Sequence, residues 1–384
     1  MRRVPNLPTR RLVPELNGAL ADLGTLLPLG LGVIGLAGLA PFPVIGGFAI
    51  FYLATAACYR LPIPVQPMKV VAAVVLTQQI APAALATSGL VMGATLILLG
   101  ATRWIDRLAR LVPQSVLAGL QLGLGVALAG VSLSLMASAP MLAVVTASVV
   151  AGLALLAPGV PAVLVALVVA TPLGLLLGAP GIELPMPASD TTSALPLWPS
   201  AADLDQALTQ LALPQLPLTL TNAVLVTALL ARDYFGVDAA HVTPRRLAMT
   251  SGIANLVLVP LGALPMCHGS GGLAAHHRFG ARTGLAPLAL GSALLALALA
   301  PHAVGVAVLG LVPVAGLGAL MLFAAGELAF TRRLRDCRPS CRPVIAVAAV
   351  VTVTVDPFAG LVAGTGAELL RVAVVRRLRA GAEH

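Results

Sequence analysis

The sequence predicts an all-α polytopic membrane protein of 14 transmembrane segments, arranged as two inverted seven-span repeats. Three observations carry this reading: the composition, the placement of arginine, and a near-constant internal offset. Of the 384 residues, 59% are hydrophobic and 10% are charged. An average soluble domain is about 25% charged, so an ordinary soluble enzyme is excluded. Mean hydropathy is +0.99, as a chain of many apolar spans requires. At about 20 residues per span, fourteen spans take about 280 residues. Loops and tails use the rest, which leaves no room for a sizeable soluble domain. The sequence has no GxxxxGKS/T phosphate loop, which argues against ATP-driven pumping by this chain alone.

Apolar runs separated by Arg clusters or Pro/Gly turns define the spans. In the first repeat (14–178) they are 14–36, 42–59, 67–81, 84–101, 113–136, 139–157 and 160–178. A polar stretch, 179–213, is the extracytoplasmic linker. The second repeat (214–373) contributes 214–231, 246–263, 269–282, 285–301, 305–326, 343–356 and 357–373. Residues 1–13 and 374–384 form the tails. Runs 67–81 and 269–282 are too short to cross a bilayer as helices.

Arginine fixes the orientation. The 23 basic residues are 22 Arg and one Lys, Lys69. With the N-terminus inside and the spans alternating, every Arg falls on the inner side, from Arg2 to Arg379. That is the positive-inside rule at work. The linker carries Glu183, Asp190, Asp203 and Asp205 and no positive residue. Both termini are therefore expected in the cytoplasm, with the protein in the cell (inner) membrane and the lipid bilayer as its surroundings. The net charge of +9 marks topology and gives no signal for nucleic acid. No small-residue cleavage site precedes the end of the first apolar run, so no signal peptide is expected. Four scattered Cys suggest no disulfide framework.

The repeat shows as an offset. A shift of 203 places Pro14 on Pro217, Leu61-Pro62 on Leu264-Pro265 and Ala72 on Ala275. A shift of 200 places Leu111-Val112-Pro113 on Leu311-Val312-Pro313, with Leu117 on Leu317 and Leu120 on Leu320. Seven spans is an odd number, so the second repeat is inverted relative to the first, as in many secondary transporters.

The short third span of each repeat follows a helix-hostile stretch. In the first it is Leu61-Pro62-Ile63-Pro64-Val65-Gln66-Pro67, and in the second Leu264-Pro265-Met266-Cys267-His268-Gly269-Ser270-Gly271-Gly272. Alternating prolines favour extended chain. Half-helices then start near Pro67 and Gly269, with Met68 and Lys69 in the first turn of one. Inverted topology turns the two N-termini toward each other near the midplane. Each carries about half a positive charge and unpaired N–H groups, a ready anion site. With Lys69 the total is about +2, which suits a dianion. Gln66, Ser270 and the N–H groups of Gly269 and Gly271 are further donors.

Asp22 lies mid-way along the first span, where a carboxylate is costly unless paired or protonated. Two roles stand side by side: proton coupling, and a structural ion pair with Lys69. Glu15 is nearer the inner interface and reads as solvated. Thr219, Thr221 and Asn222 sit in the first span of the second repeat as polar lining, though a membrane Thr often bonds only its own backbone. His268 opens the second half-helix and is a pH-sensitive binding or gating candidate. Cys267, His268, His276 and His277 raise a metal reading, but adjacent His276 and His277 cannot share a helical face, and no metal ligand set or cofactor is expected. Asp356-Pro357 reads as an N-cap followed by Pro at the first helical position.

Several segments resemble the bacterial and plant molybdate transporter family, a relative of the SulP sulfate permeases. They are Pro64-Val65-Gln66-Pro67-Met68-Lys69, Pro265 through Ala274, and Phe279-Gly280-Ala281-Arg282-Thr283-Gly284. Ala21-Asp22-Leu23-Gly24-Thr25, Leu216-Pro217-Leu218-Thr219 and Val112 through Gly119 look similar as well. The resemblance implies a core domain of spans 1–4 and 8–11 and a gate domain of spans 5–7 and 12–14. It places the anion between half-helices 3 and 10, with Thr25 beside the other candidates. SulP proteins usually end in a cytoplasmic STAS domain; residues 374–384 are too few for one, so none is expected.

The leading expectation is secondary uptake of molybdate with protons. Sulfate, also a tetrahedral dianion, is the alternative within transport. A nucleobase permease is disfavoured because the second half-helix motif has no carboxylate. An intramembrane metal-dependent enzyme built on Cys267 and the three histidines is the reading from another class. Coupling ion, transport direction and oligomeric state, a homodimer included, stay open.

Overall fold

The computed structural model describes residues 9–102, 104–105, 113–157, 159–182 and 199–382. Expected features at Arg2, Arg3, Arg103, Arg107, Arg110, Leu111, Val112, Glu183 and Asp190, and residues 183–198 of the linker, lie outside the described residues.

Backbone groups in hydrocarbon must be satisfied within their own segment, so Leu-, Ala- and Val-rich runs fold as helices. Helices α1 (Thr9–Ala21) and α2 (Leu23–Ala37) form one apolar segment bent by 40° at Asp22. Helices α3 (Pro41–Tyr59) and α5 (Pro82–Ala101) begin on Pro, whose missing N–H is harmless there. Between them lie strand β1 (Gln66–Pro67) and the nine-residue α4 (Lys69–Thr77). Then come α6 (Gln114–Met136), α7 (Pro140–Leu156) and α8 (Ala162–Leu176).

The second half opens with α9, a long helical stretch over Ala201–Ala239, followed by α10 (Pro244–Leu258). Strand β2 (Met266–Cys267) leads into the nine-residue α11 (Ser270–Arg278). Helices α12 (Leu285–Ala298), α13 (His302–Gly310), α14 (Val314–Ala329), α15 (Arg332–Arg335), α16 (Arg342–Thr354) and α17 (Pro357–Ala382) complete the chain. Among the described residues, five helices are long and apolar enough to cross a membrane, six if the bent pair is one span. Helices α7, α8, α12 and α14 are apolar but shorter.

Two segments differ from expectation. The polar stretch 179–213 is expected as a linker throughout, yet α9 begins at Ala201. Ser200 Oγ accepts from Asp203 N–H at 3.1 Å, and Asp203 Oδ2 accepts from Ser200 N–H at 3.0 Å. This capping box starts a helix inside a polar sequence. The expected span 305–326 is two helices, broken at 311–313. There the backbone bonds a neighbouring segment: Ile182 N–H donates to Val312 O at 3.0 Å and Val314 N–H to Pro180 O at 2.9 Å. Glu15, read as solvated, is buried and accepts from the N–H groups of Arg282 and Thr283 at 3.0 and 3.4 Å. Asp356 caps α17 as expected, accepting from Ala359 N–H at 2.8 Å.

The tightest pairings are α6 with α14 and α16, α3 with α12, and α5 with α10. Small residues permit them. A Cβ at Gly93 of α5 would lie 3.0 Å from Gly252 O, and one at Gly252 of α10 would lie 2.9 Å from Gly93 O. Membrane helices lack a hydrophobic drive to associate, so such close backbone contact supplies much of the attraction.

Candidate anion-binding site

The two proline-broken loops meet. β1 and β2 pair antiparallel, with Gln66 opposite Cys267 and Pro67 opposite Met266. Met68 N–H extends the ladder to Pro265 O at 3.0 Å. From α10, Asn255 clamps Met266 by accepting its N–H at 2.9 Å and donating to its carbonyl at 2.6 Å. Pro67 therefore belongs to the strand, and the first half-helix starts at Lys69 rather than at Pro67. The residue before a proline is held extended, so Gln66 keeps the helix from starting earlier. Each half-helix spans about 14 Å, against a hydrocarbon core of about 30 Å.

One small cavity lies beside the ladder. It is lined by the expected residues Gln66, Pro67, Lys69, Thr219, Asn222, His268 and Gly269, together with Gln215, Leu218, Ala223 and Cys267. Met68 is fully buried and does not line it. Ser270 stands at its edge, where its hydroxyl donates to Asn222 Oδ1. Gly271 is exposed. Thr25 is not among the lining residues.

Helix α9 reaches the cavity through an irregularity. Pro214 and Pro217 lie within it, and residues Thr219–Val226 take π-helical form. Proline removes N–H donors, and wider turns are common at functional sites. Thr227 Oγ1 answers one loosened carbonyl by donating to Asn222 O at 3.0 Å. Thr219 and Asn222 thus face the ladder.

The first turns of α4 and α11 differ. Gln215 Oε1 accepts from Val70 N–H at 2.8 Å and Val71 N–H at 3.4 Å, while its amide donates to Thr219 Oγ1 at 2.8 Å. At α11, the N–H groups of Ser270, Gly271 and Gly272 have no protein acceptor among the described residues. The nearest atom to a Cβ built on Gly271 is Lys69 Nζ, at 3.9 Å. The lone lysine of α4 therefore extends over the start of α11.

Asp22 and Lys69 do not form the ion pair that the sequence left open. Among the described residues no carboxylate lies within 4.0 Å of Lys69. Asp22 is buried and already served: Tyr52 Oη donates to Oδ2, and Gln66 Nε2 donates to Oδ1 at 2.6 Å. His276 Nε2 stands 3.4 Å from Oδ2, without hydrogen-bond alignment.

The family follows from comparison with known proteins. A family model described as "Molybdate transporter of MFS superfamily" matches residues 14–128 and 207–328, more than half of the chain. The chain belongs to this molybdate transporter family. Among curated relatives of this family member, Molybdate transporter 2 of Arabidopsis thaliana is 29% identical, covering 88% of this chain and 83% of its own. Molybdate transporter 1 of Chlamydomonas reinhardtii is 28% identical, covering 82% and 83%. Among solved structures, the transmembrane domain of the cyanobacterial bicarbonate transporter BicA superposes with a TM-score of 0.66 at 18% identity, over 92% of this chain and 98% of that one. Murine Slc26a9, an anion transporter in the inward-facing state, gives 0.69 at 15% identity, over 96% and 69%. At such identities these likenesses speak for the fold alone. Family and relatives make the chain a multi-pass anion transporter and not an enzyme.

The histidines of this transporter are dispersed. Pro64 O and Thr250 Oγ1 lie 2.9 and 2.8 Å from the two ring nitrogens of His268, and the ring packs on Phe51 and Tyr59. It lines the cavity with neither nitrogen to spare. His276 faces Asp22, and His277 stacks on Tyr234 at 4.1 Å. Among the described residues no three His, Cys, Asp or Glu side chains gather as a metal site.

Gln215 and Tyr52 are the residues that sequence reasoning missed, and Cys267, weighed there only as a metal ligand, lines the cavity instead. Gln215 had a signal. It precedes Thr219 by four positions and so shares its helical face. Tyr52 had none beyond being a phenol within an apolar span.

Proposed function

We propose that the protein imports molybdate as a secondary transporter driven by protons. The anion binds between the facing N-termini of α4 and α11. One observation carries the reading: Lys69, with no carboxylate within 4.0 Å among the described residues, reaches over a helix start whose N–H groups have no protein acceptor among them. A cation beside the positive end of a helix is unfavourable, more so in a membrane, unless an anion joins them. The curated relatives are named as molybdate transporters, which favours that substrate among tetrahedral dianions.

In this reading the chain has fourteen spans in two inverted repeats, with both termini in the cytoplasm and the protein in the inner membrane. Spans 1–4 and 8–11 carry the site past spans 5–7 and 12–14. Lys69, Gln66, Gly269, Ser270, Gly271, Thr219 and Asn222 contact the anion, His268 forms part of the same cavity wall, and Met68 packs behind it. Asp22 carries the coupling proton. A proton arriving there removes a negative charge near the site as the anion enters.

Labelled molybdate uptake into proteoliposomes under an imposed pH gradient tests this. Uptake that follows the inward proton gradient and resists equimolar sulfate is the expected result. Full inhibition by equimolar sulfate assigns the site to sulfate instead, and uptake indifferent to the gradient removes the proton.

A further inference from the structure

Among the described residues, Gln66 is the one side chain that touches both Asp22 and the cavity. Its Nε2 donates to Asp22 Oδ1 at 2.6 Å, and it lines the cavity wall. The residue is 2% exposed. Its other end is unsatisfied: Oε1 is buried and has no hydrogen-bond donor among the described residues. That oxygen faces the start of α11, since a Cβ on Gly269 would fall 2.2 Å from it. A buried amide oxygen without a donor is unfavourable, so an arrangement that leaves one calls for a reason.

The reason lies in the chemistry of the amide. An ionised carboxylate only accepts hydrogen bonds, so Asp22 in that form draws the NH2 end of Gln66 toward itself. The carbonyl oxygen is then turned to the cavity wall, where its partial negative charge opposes an anion. A protonated carboxyl has an O–H to donate. Gln66 then offers its oxygen to Asp22 and turns its NH2 to the cavity, where it donates to an anion. Tyr52 holds the other carboxylate oxygen, so Oδ1 is the place for the proton.

We infer that Gln66 is a reversible amide switch that converts the protonation of Asp22 into a hydrogen bond to the bound oxyanion. It is a positioning residue for coupling as well as a ligand. The balance is simple. One proton moves onto Asp22 Oδ1, the amide rotates by half a turn about its Cγ–Cδ bond, and no covalent bond other than that O–H forms or breaks. Each form leaves the Asp22–Gln66 hydrogen bond intact with its direction reversed. The charged and titratable groups around Asp22 are few. Tyr52 of α3 and His276 of α11 approach the carboxylate directly, and Glu327 of α14 interacts electrostatically with both Asp22 and Lys69. Lys69 supplies a constant charge, so the amide supplies the part that changes with pH.

The inference rests on the molybdate reading, and the experiment separates the two. Molybdate binding to the purified full chain is measured by calorimetry from about pH 8 to about pH 6, for wild type, Asp22→Asn, Gln66→Leu and Gln66→Glu. Wild type is expected to bind about tenfold tighter at the lower pH. Asp22→Asn, with a permanent NH2 toward Gln66, is expected to bind at the tight level and without a pH slope. Gln66→Leu keeps the Asp22 charge and loses the switch, so it is expected to bind weakly with less than a twofold slope. Gln66→Glu places a second carboxylate against Asp22 and is expected to shift the slope in pH while keeping it. No binding by wild type overturns the molybdate reading and this one with it. A flat wild type, or an Asp22→Asn slope like that of wild type, removes Asp22 as the proton site. A wild-type slope retained in Gln66→Leu overturns the switch alone, because field coupling from Asp22 then suffices.

Discussion

Helices α4 and α11 are each nine residues long and start from the same two-stranded ladder, yet their first turns are built differently. In α4 the early N–H groups of Val70 and Val71 are spent on Gln215, and a full charge sits at the first helical position, Lys69. In α11 the first turn is Ser270-Gly271-Gly272, uncharged, with no protein acceptor for its N–H groups among the described residues. The sequence suggested two equivalent half-charges facing each other. The arrangement instead divides the work. One half-helix offers a point charge on a long side chain, and the other offers oriented backbone donors at close range. Backbone donors need a chain without Cβ atoms around them, and glycine supplies that. A tetrahedral oxyanion needs both, charge for affinity and direction for fit.

The largest expected break in this comparison is Lys69→Ala. Uptake of labelled molybdate should fall to that of empty vesicles, a loss of about 3 kcal/mol, or more than a hundredfold in affinity. The same change removes a cation from beside the positive end of α11. Thermal unfolding in the absence of anion should therefore stay unchanged or rise slightly. A lower melting temperature would show that Lys69 has a partner of its own, and unchanged uptake would take it out of the site.

How much of this could be read beforehand divides along the chain. Both broken segments were legible because proline and glycine constrain the backbone directly, whatever surrounds them. Five of the expected site residues, Gln66, Pro67, Lys69, His268 and Gly269, line the cavity for that reason, while Thr219 and Asn222 reach it from α9. Asp22 was legible as a carboxylate stranded in an apolar span, but its partners were not. Tyr52 and His276 come from helices that only tertiary packing brings together, and nothing in their local sequence points to Asp22. The start of α9 failed for the opposite reason. Its polar composition suggested a loop, while the Ser200–Asp203 pair three residues apart carried a helix-start signature that composition hid.

A smaller effect separates two neighbouring glycines of α11. A Cβ at Gly272 would meet Asp22 Oδ1 and Gln66 Nε2, each at 2.6 Å, and Pro64 Cβ at 2.7 Å. Gly272→Ala must push apart the junction between Asp22 and the ladder, at a cost of about 1–3 kcal/mol. It should lower the melting temperature and abolish uptake together. At Gly271 a Cβ has nothing nearer than Lys69 Nζ at 3.9 Å. Gly271→Ala should fold with wild-type stability, which makes it the control for the pair, and raise the uptake KM by about threefold by crowding the ammonium. Equal stability loss in both variants would mean that the first turn of α11 is packed on all sides, with no open face for an anion.

The smallest expected change tests the other half-helix. Gln215→Leu removes the oxygen that caps Val70 and Val71 and makes the start of α4 resemble that of α11. Two buried N–H groups then lack a partner, which should destabilise the protein by about 1 kcal/mol. At the proposed site molybdate would supply the missing acceptor. Stabilisation by saturating anion, read as the rise in melting temperature on adding molybdate, should therefore be larger in Gln215→Leu than in wild type, although the apo protein is weaker. Lys69→Ala should shift in the opposite direction and lose the rise altogether. If Gln215→Leu also loses it, the cap serves the anion indirectly, by holding Thr219 in place across the 2.8 Å bond between them. The two half-helices would then be unequal in a further respect: α11 would meet the anion with its backbone, and α4 only through its side chain.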